Sequence, residues 1–284
     1  MPRQLRPTYH GSLRAQERSV ATVVDNRERE TPDATTSEAG WNWRQAATGE
    51  VLQHDHVLAV APHVFTSRAL EFRADPDRDY AQLGRVFGVA GPAISRVTQV
   101  HGRVVVRVRS TDPLPAGTEA DAIVTTSPGS VISVRVADCV PVLIADRRQR
   151  AVAAVHAGWK GTCAAIVEAA VAAMAEEGVP AADLVVAMGP GIGPCCYQVD
   201  GRVRNAFLAM TPDAAQWMIE DGVGRWTLDL WQANVDQLIR AGVPGGSIHQ
   251  SRLCTADNLD RCFSHRAEGP GTGRMVAAIQ LVPR

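Results

Sequence analysis

The sequence predicts an α/β domain in which sheets and helices stack in layers. Three observations predict it. Short β-branched runs crowd residues 104–155, an Ala-rich helical stretch occupies 161–178, and strands and helices then follow in mixed order to the end.

Val104-Val-Val-Arg-Val108 reads as a strand, and a Pro/Gly turn separates it from a second at 122–126. Ser127-Pro-Gly-Ser130 turns the chain again. Three apolar runs follow at 131–136, 140–145 and 151–155, broken by Asp138-Cys139 and by the charged turn Asp146-Arg-Arg-Gln-Arg150. Their tight spacing predicts adjacent strands of one central, buried sheet. Residues 161–178 predict a helix, with Thr162 as N-cap and Gly178 and Pro180 as its stop. A strand at 184–188 leads into Gly189-Pro-Gly-Ile-Gly-Pro194, whose spacing and prolines suit a rigid turn rather than a phosphate loop. Helices near 200–210 and 228–241 and strands at 247–252 and 275–281 complete the pattern. Residues 1–50 are polar and aperiodic and read as a disordered extension, which leaves 57–284 as the domain.

Composition narrows the function. The chain has 284 residues, 45% hydrophobic and 21% charged, with a formal net charge of −1. A nucleic-acid or anionic-membrane partner would normally call for a basic surplus. Aromatics at 5% argue against a base-stacking platform. No apolar stretch approaches the roughly 18–20 residues of a membrane span, and the N-terminus lacks the apolar segment of a secretory signal. The expected setting is the cytoplasm, with the six cysteines as thiols and a small molecule as the partner.

Three segments put a metal-capable side chain at a strand end beside Gly or Pro: Thr98-Gln-Val-His101-Gly, Ala137-Asp-Cys139-Val-Pro and Val155-His156-Ala-Gly-Trp-Lys-Gly161. Strand ends are where sheet proteins place ligand sites. Two imidazoles and a thiolate suit zinc with one position left open. The same spacing also suits a metal-free Cys139–His156 nucleophile–base pair, or a small buried cysteine and a turn histidine with no chemistry at all. Lys160 and the start of the following helix could hold an anion. His54-Asp-His56 reads as a surface loop, His249 and His265 as isolated, and Cys163, Cys254 and Cys262 as structural. Cys195 and Cys196 sit on a turn with no base partner nearby in sequence.

Taken together, Thr98-Gln-Val-His-Gly, Ala120-Asp-Ala, Ala137-Asp-Cys-Val-Pro, His156-Ala-Gly-Trp-Lys-Gly, Gly189-Pro-Gly-Ile-Gly-Pro, Cys254-Thr, Phe263-Ser-His-Arg266 and Thr272-Gly-Arg resemble the bacterial laccase-domain proteins. That family is known both as multicopper polyphenol oxidases and as purine nucleoside phosphorylases. The resemblance covers residues from about 60 to about 282. It implies a single domain built as an α/β/β/α sandwich of mixed sheets, related in fold to the cytotoxic necrotizing factor toxins. It implies zinc held by His101, Cys139 and His156, which also serve as catalytic residues. The implied reactions are phosphorolysis of adenosine, inosine, guanosine and S-methyl-5'-thioadenosine, and deamination of adenosine. Arg68, Lys160 and Arg266 are the candidates for binding phosphate and substrate.

One stretch departs from the family pattern. After His63-Val-Phe-Thr-Ser-Arg68, a Gly-Gly loop, an Asn-Leu-Gly segment and an Asn-Arg pair are missing, so a wall of the pocket is expected to be short. Three other functions stay open. One is a copper-dependent polyphenol oxidase, although eight histidines are few for four coppers. Another is a cysteine hydrolase or amidase using Cys139 and His156, tied to editing of peptidoglycan precursors. The last is a binding protein without catalysis.

Overall fold

The computed structural model describes residues 39–282. The N-terminal half contributes β1 (Trp41–Ala46), β2 (Gly49–His54), α1 (Asp55–Leu58), β3 (His63–Thr66), α2 (Pro76–Phe87), β4 (Ile94–Ser95), β5 (Val105–Val108) and β6 (Ala122–Thr125). The middle contributes β7 (Val131–Val136), β8 (Val140–Asp146), β9 (Val152–Ala157), α3 (Trp159–Cys163), α4 (Ile166–Glu176) and β10 (Leu184–Met188). Then come β11 (Gln198–Asp200), α5 (Gly201–Met210), β12 (Met218–Glu220), β13 (Arg225–Leu228), α6 (Leu230–Arg240), β14 (Ile248–Gln250), α7 (His265–Glu268) and β15 (Met275–Gln280).

Two six-stranded mixed sheets carry the fold, ordered β1-β2-β3-β15-β7-β4 and β14-β10-β8-β9-β6-β5, and β11-β13-β12 form a small third sheet. Strand periodicity explains how they stack, because successive side chains leave opposite faces. On β8, Leu143 and Ala145 pack between the sheets with Phe65, Ile132 and Val134, whereas Val140, Val142 and Ile144 pack with Ile166, Val167 and Ala170 of α4. On β15, Ala277 and Ile279 face the second sheet, and Val276 and Ala278 pack with Tyr80, Leu83 and Phe87 of α2. The order is helix, sheet, sheet, helix. Strands buried on both faces read as continuous apolar runs, which is why they stand out in the sequence.

Three expectations need correction. The runs at 131–136, 140–145 and 151–155 do not share a sheet. β8 and β9 pair directly, but β7 lies in the other sheet between β15 and β4. The change of layer occurs at Asp138, whose backbone takes the left-handed conformation at φ 85° and is held there by its buried carboxylate.

The helix over 161–178 is two helices. It begins earlier, at Trp159, and Ala165 at φ 59° breaks it before α4 starts. Thr162 is therefore no N-cap; it is buried and its hydroxyl meets Asn234.

The domain also begins before residue 57. β1 and β2 form an antiparallel ribbon from Trp41↔His54 to Ala46↔Gly49 and bury Trp41, Val51 and Leu52. Polar residues alternate with these on the open face, which hid the strands in the sequence. The rest of the expected extension, residues 1–38, lies outside the described residues.

Candidate functional site

Cys139 immediately precedes β8 and His156 is the penultimate residue of β9, where Pro141 is its register partner. His156 lies on the same face of β9 as Val152 and Ala154, the face between the sheets. His101 comes from the loop before β5 and completes the group. Ligand atoms of His101, Cys139 and His156 all lie within 4.8 Å of one another. Gly158, between the end of β9 and the start of α3, leaves the space they occupy: a β-carbon there would sit 2.8 Å from Cys139 Sγ and 3.0 Å from a His101 ring carbon.

Asp121, from the Ala120-Asp-Ala motif, organises the group. Its fully buried carboxylate accepts His156 Nδ1–H at 2.9 Å. It also accepts the backbone N–H of His101 at 2.9 Å and of Gly102 at 2.6 Å. Because a carboxylate only accepts, Nδ1 of His156 carries the proton and Nε2 is left for a ligand. The two amide bonds hold His101 at φ 59°, a conformation that costs a non-glycine residue energy. Burial opposes the charge on Asp121, but these three hydrogen bonds bring its carboxyl below the usual range.

Electrostatics prepare the thiol. Burial alone would push Cys139 up, yet the His156 charge and hydrogen bonds from both imidazoles bring it down to about 6. Burial would lower His156, but the Cys139 charge and the Asp121 hydrogen bond raise it to about 9. Without metal the pair therefore favours thiolate and imidazolium; the thiolate is the form that binds metal or attacks carbon, and a metal at Nε2 would take the place of that nitrogen's proton.

These side chains open into a cavity of about 680 Å³, also lined by Phe72, Trp159 and Tyr197 and by four arginines, Arg73, Arg135, Arg266 and Arg274. Among the described residues none of the four forms an ion pair. Arg73 and Arg274 donate to the Thr272 carbonyl at 2.9 and 2.8 Å, and Arg266 donates to the carbonyls of Cys196 and Gln198 at 3.2 and 2.9 Å. Burial, with the nearby charges of Arg73 and Arg135, lowers Arg274 below its ordinary value. Asp138 fixes this wall. Its Oδ1 accepts the hydroxyls of Thr255 and Ser264 at 2.6 and 2.7 Å, and its Oδ2 accepts Arg266 N–H at 2.6 Å.

Of the three phosphate candidates from sequence, only Arg266 lines the cavity. Arg68 pairs with Glu268 at 3.0 Å and covers the Phe263 ring, and Lys160 is exposed beside the Trp159 ring. The short stretch after Arg68 does supply wall residues, Phe72 and Arg73. Phe72 is buried at φ 46°, and its N–H is anchored to Asp79 at 2.9 Å.

Two expectations about other residues also change. His54, His56 and His249 meet rather than standing apart, and His54 is buried. The His54 and His249 rings stack at 3.9 Å, nearly parallel. Their in-plane lone pairs then run side by side, as in a packed imidazole pair, rather than converging on one point. Cys195, Cys196 and Cys254 also meet, around Asp257.

Residues 73–282 match the family model described as multi-copper polyphenol oxidoreductase laccase. The chain belongs to this family. Among similar proteins, a purine nucleoside phosphorylase of Bacteroides thetaiotaomicron is 37% identical over 57% of the chain; the match spans only 60% of that relative's length. The purine nucleoside phosphorylase YfiH of Escherichia coli is 36% identical over 73% of the chain and 83% of its own. An adenosine deaminase, RL5, from an unknown prokaryote is 36% identical over 56% of the chain and 61% of its own. Among solved structures, YlmD of Geobacillus stearothermophilus superposes with a TM-score of 0.77 at 28% identity, over 89% of the chain and all of that protein.

Proposed function

We propose that the chain is a zinc-dependent purine nucleoside phosphorylase. Its substrates are adenosine, inosine, guanosine and S-methyl-5'-thioadenosine, with adenosine deamination as a further reaction. One observation carries this: a three-ligand group of His101, Cys139 and His156 lines the same cavity as four arginines that have no carboxylate partner among the described residues. Relatives named as purine nucleoside phosphorylases and an adenosine deaminase support it.

The donor set fits the metal. Two imidazoles and a thiolate leave one of four positions for substrate or water, the pattern of catalytic zinc. Copper accepts the same nitrogen and sulfur donors, so the choice of zinc belongs to the proposal. When bound, zinc supplies Lewis acidity, which suits attack by water in deamination.

Phosphorolysis makes a different demand. A phosphate oxygen bonds to C1′ of the sugar as the bond from C1′ to the purine nitrogen breaks. The purine leaves with the electron pair and takes up a proton. Arg73, Arg135, Arg266 and Arg274 would bind and orient the phosphate. Trp159 and Tyr197, both partly exposed, offer apolar surface to the base.

The experiment is metal analysis of the purified chain together with an assay for adenosine and phosphate. About one cavity zinc, lost in Cys139→Ala together with ribose-1-phosphate formation, supports the proposal. Activity that survives Cys139→Ala overturns it. A second reading, a metal-free cysteine hydrolase, is favoured by the Cys139 thiol at about 6 beside His156. Stoichiometric alkylation of Cys139 in a metal-free, fully active enzyme would establish that reading instead.

A further inference from the structure

Away from the His101–Cys139–His156 group, four more metal-capable side chains converge. Cys195 and Cys196 lie on the turn after β10, and Cys254 and Asp257 lie on the loop after β14. Their ligand atoms all lie within 4.8 Å of one another. Cys195 Sγ donates to Asp257 Oδ2 and Cys196 Sγ to Asp257 Oδ1, each at 3.0 Å.

The backbone builds this group rather than leaving it to chance. Gly191 and Cys254 form a parallel bridge between the two segments. Gly191 N–H reaches the Leu253 carbonyl at 3.2 Å, and Thr255 N–H reaches the Gly191 carbonyl at 3.1 Å. Asn258 holds the Cys254 carbonyl at 2.8 Å. Gly193 N–H donates to Cys254 Sγ at 3.3 Å, the kind of contact that stabilises a thiolate. A side chain on Gly193 would intrude, its β-carbon 3.2 Å from Cys195 Sγ and 3.3 Å from Cys254 Cβ.

The geometry points to a second metal site, a structural zinc held by Cys195, Cys196, Cys254 and Asp257. Three sulfurs and one carboxylate oxygen fill four positions and leave none open, as in structural rather than catalytic sites. Zinc–sulfur bonds of about 2.3 Å set tetrahedral sulfurs roughly 3.8 Å apart, so these atoms need to close by no more than about 1 Å. On binding, three S–H protons pass to solvent, and Asp257 exchanges its role as acceptor for one as ligand. A disulfide would use two of the sulfurs and leave the third thiol and the carboxylate without a purpose in common.

The consequence reaches the cavity. Tyr197, next to Cys196, lines it, and Arg266 donates to the Cys196 and Gln198 carbonyls. A metal here would fasten the turn bearing Tyr197 to the loop that leads to Arg266.

The test counts zinc by mass spectrometry in the full chain after chelation, reloading and desalting. The wild type should hold two per chain, Cys139→Ser one, and Cys139→Ser combined with Cys195→Ser or Asp257→Asn close to none. Cobalt-loaded Cys139→Ser should keep a strong thiolate charge-transfer band. Circular dichroism confirms that each variant folds; the exposed Cys195 and Asp257 are chosen because replacing them disturbs no core. A wild type that holds a single zinc, lost in Cys139→Ser, overturns the second site, as does a Cys–Cys disulfide in the freshly purified chain that blocks reloading. Because Cys139→Ser isolates the second site, its result is independent of the nucleoside activity.

Discussion

His156 Nδ1 and Asp121 Oδ1 are 2.9 Å apart, and the same carboxylate also grips the two amides that hold His101 in its left-handed turn. One buried side chain thus sets the tautomer of one imidazole and the backbone of the other. Asp121→Asn should weaken zinc binding at Cys139 about 10- to 100-fold, the usual cost of losing such an outer partner. Competition against a chelator measures it. An unchanged affinity would show that His101 and His156 need no help from Asp121.

Gly158 makes a sharper test of shape. Gly158→Ala places a methyl 2.8 Å from Cys139 Sγ, inside any ordinary contact, without changing a ligand. Zinc at this site should fall at least tenfold while circular dichroism stays that of the wild type. Gly246→Ala is the control, since its β-carbon would meet nothing within 4 Å. Equal zinc content in the two variants would mean that the ligands move freely, contrary to the close packing of buried sites.

Which parts of this were legible from sequence follows from range. β8, β9 and β10 announce themselves because each is buried on both faces, and Cys139 and His156 follow from the hairpin between them. Asp121 sits inside a quoted motif, yet its role depends on three donors that lie 19–35 positions away in the chain. The arginine cluster was hidden for the same reason. Arg73, Arg135 and Arg274 come from three segments, and nothing local separates them from Arg68 or Lys160. The sequence cannot place β7 between β15 and β4, because an apolar run shows burial but not partner. Cys254 looked structural because its companions lie about 60 residues earlier.

If phosphate docks among the arginines, Arg135→Met and Arg274→Met should each raise its KM about tenfold or more, since a charge-assisted hydrogen bond contributes roughly 1.5–3 kcal/mol. Arg68→Met and Lys160→Met should leave it within about twofold, because neither residue lines the cavity. Initial rates against phosphate, with adenosine saturating, separate the pairs. The reverse ranking would move the phosphate out of the cavity.

The last prediction concerns stability and the buried His63. Its Nδ1 faces the Ala61 carbonyl at 3.1 Å, and its Nε2 accepts the His54 N–H at 3.1 Å. Both nitrogens are therefore engaged as a neutral ring. A second proton would have to displace the His54 amide, next to Arg44 and His54. Burial, and to a smaller extent those neighbours, lower its pKa to about 4. In the unfolded chain the ring takes its proton near pH 6.5, so between about pH 6.5 and 4 the unfolded state binds more protons and stability falls as pH falls. The difference between 6.5 and about 4 corresponds to about 3 kcal/mol, fully present above pH 6.5 and gone below pH 4. Urea unfolding at pH 7 and pH 4.5 should show a smaller loss for His63→Gln than for the wild type, because the amide keeps a donor and an acceptor but does not titrate. Parallel losses in the two proteins would assign the acid sensitivity to other groups, with His54 and His249, both also lowered by burial, the first to test.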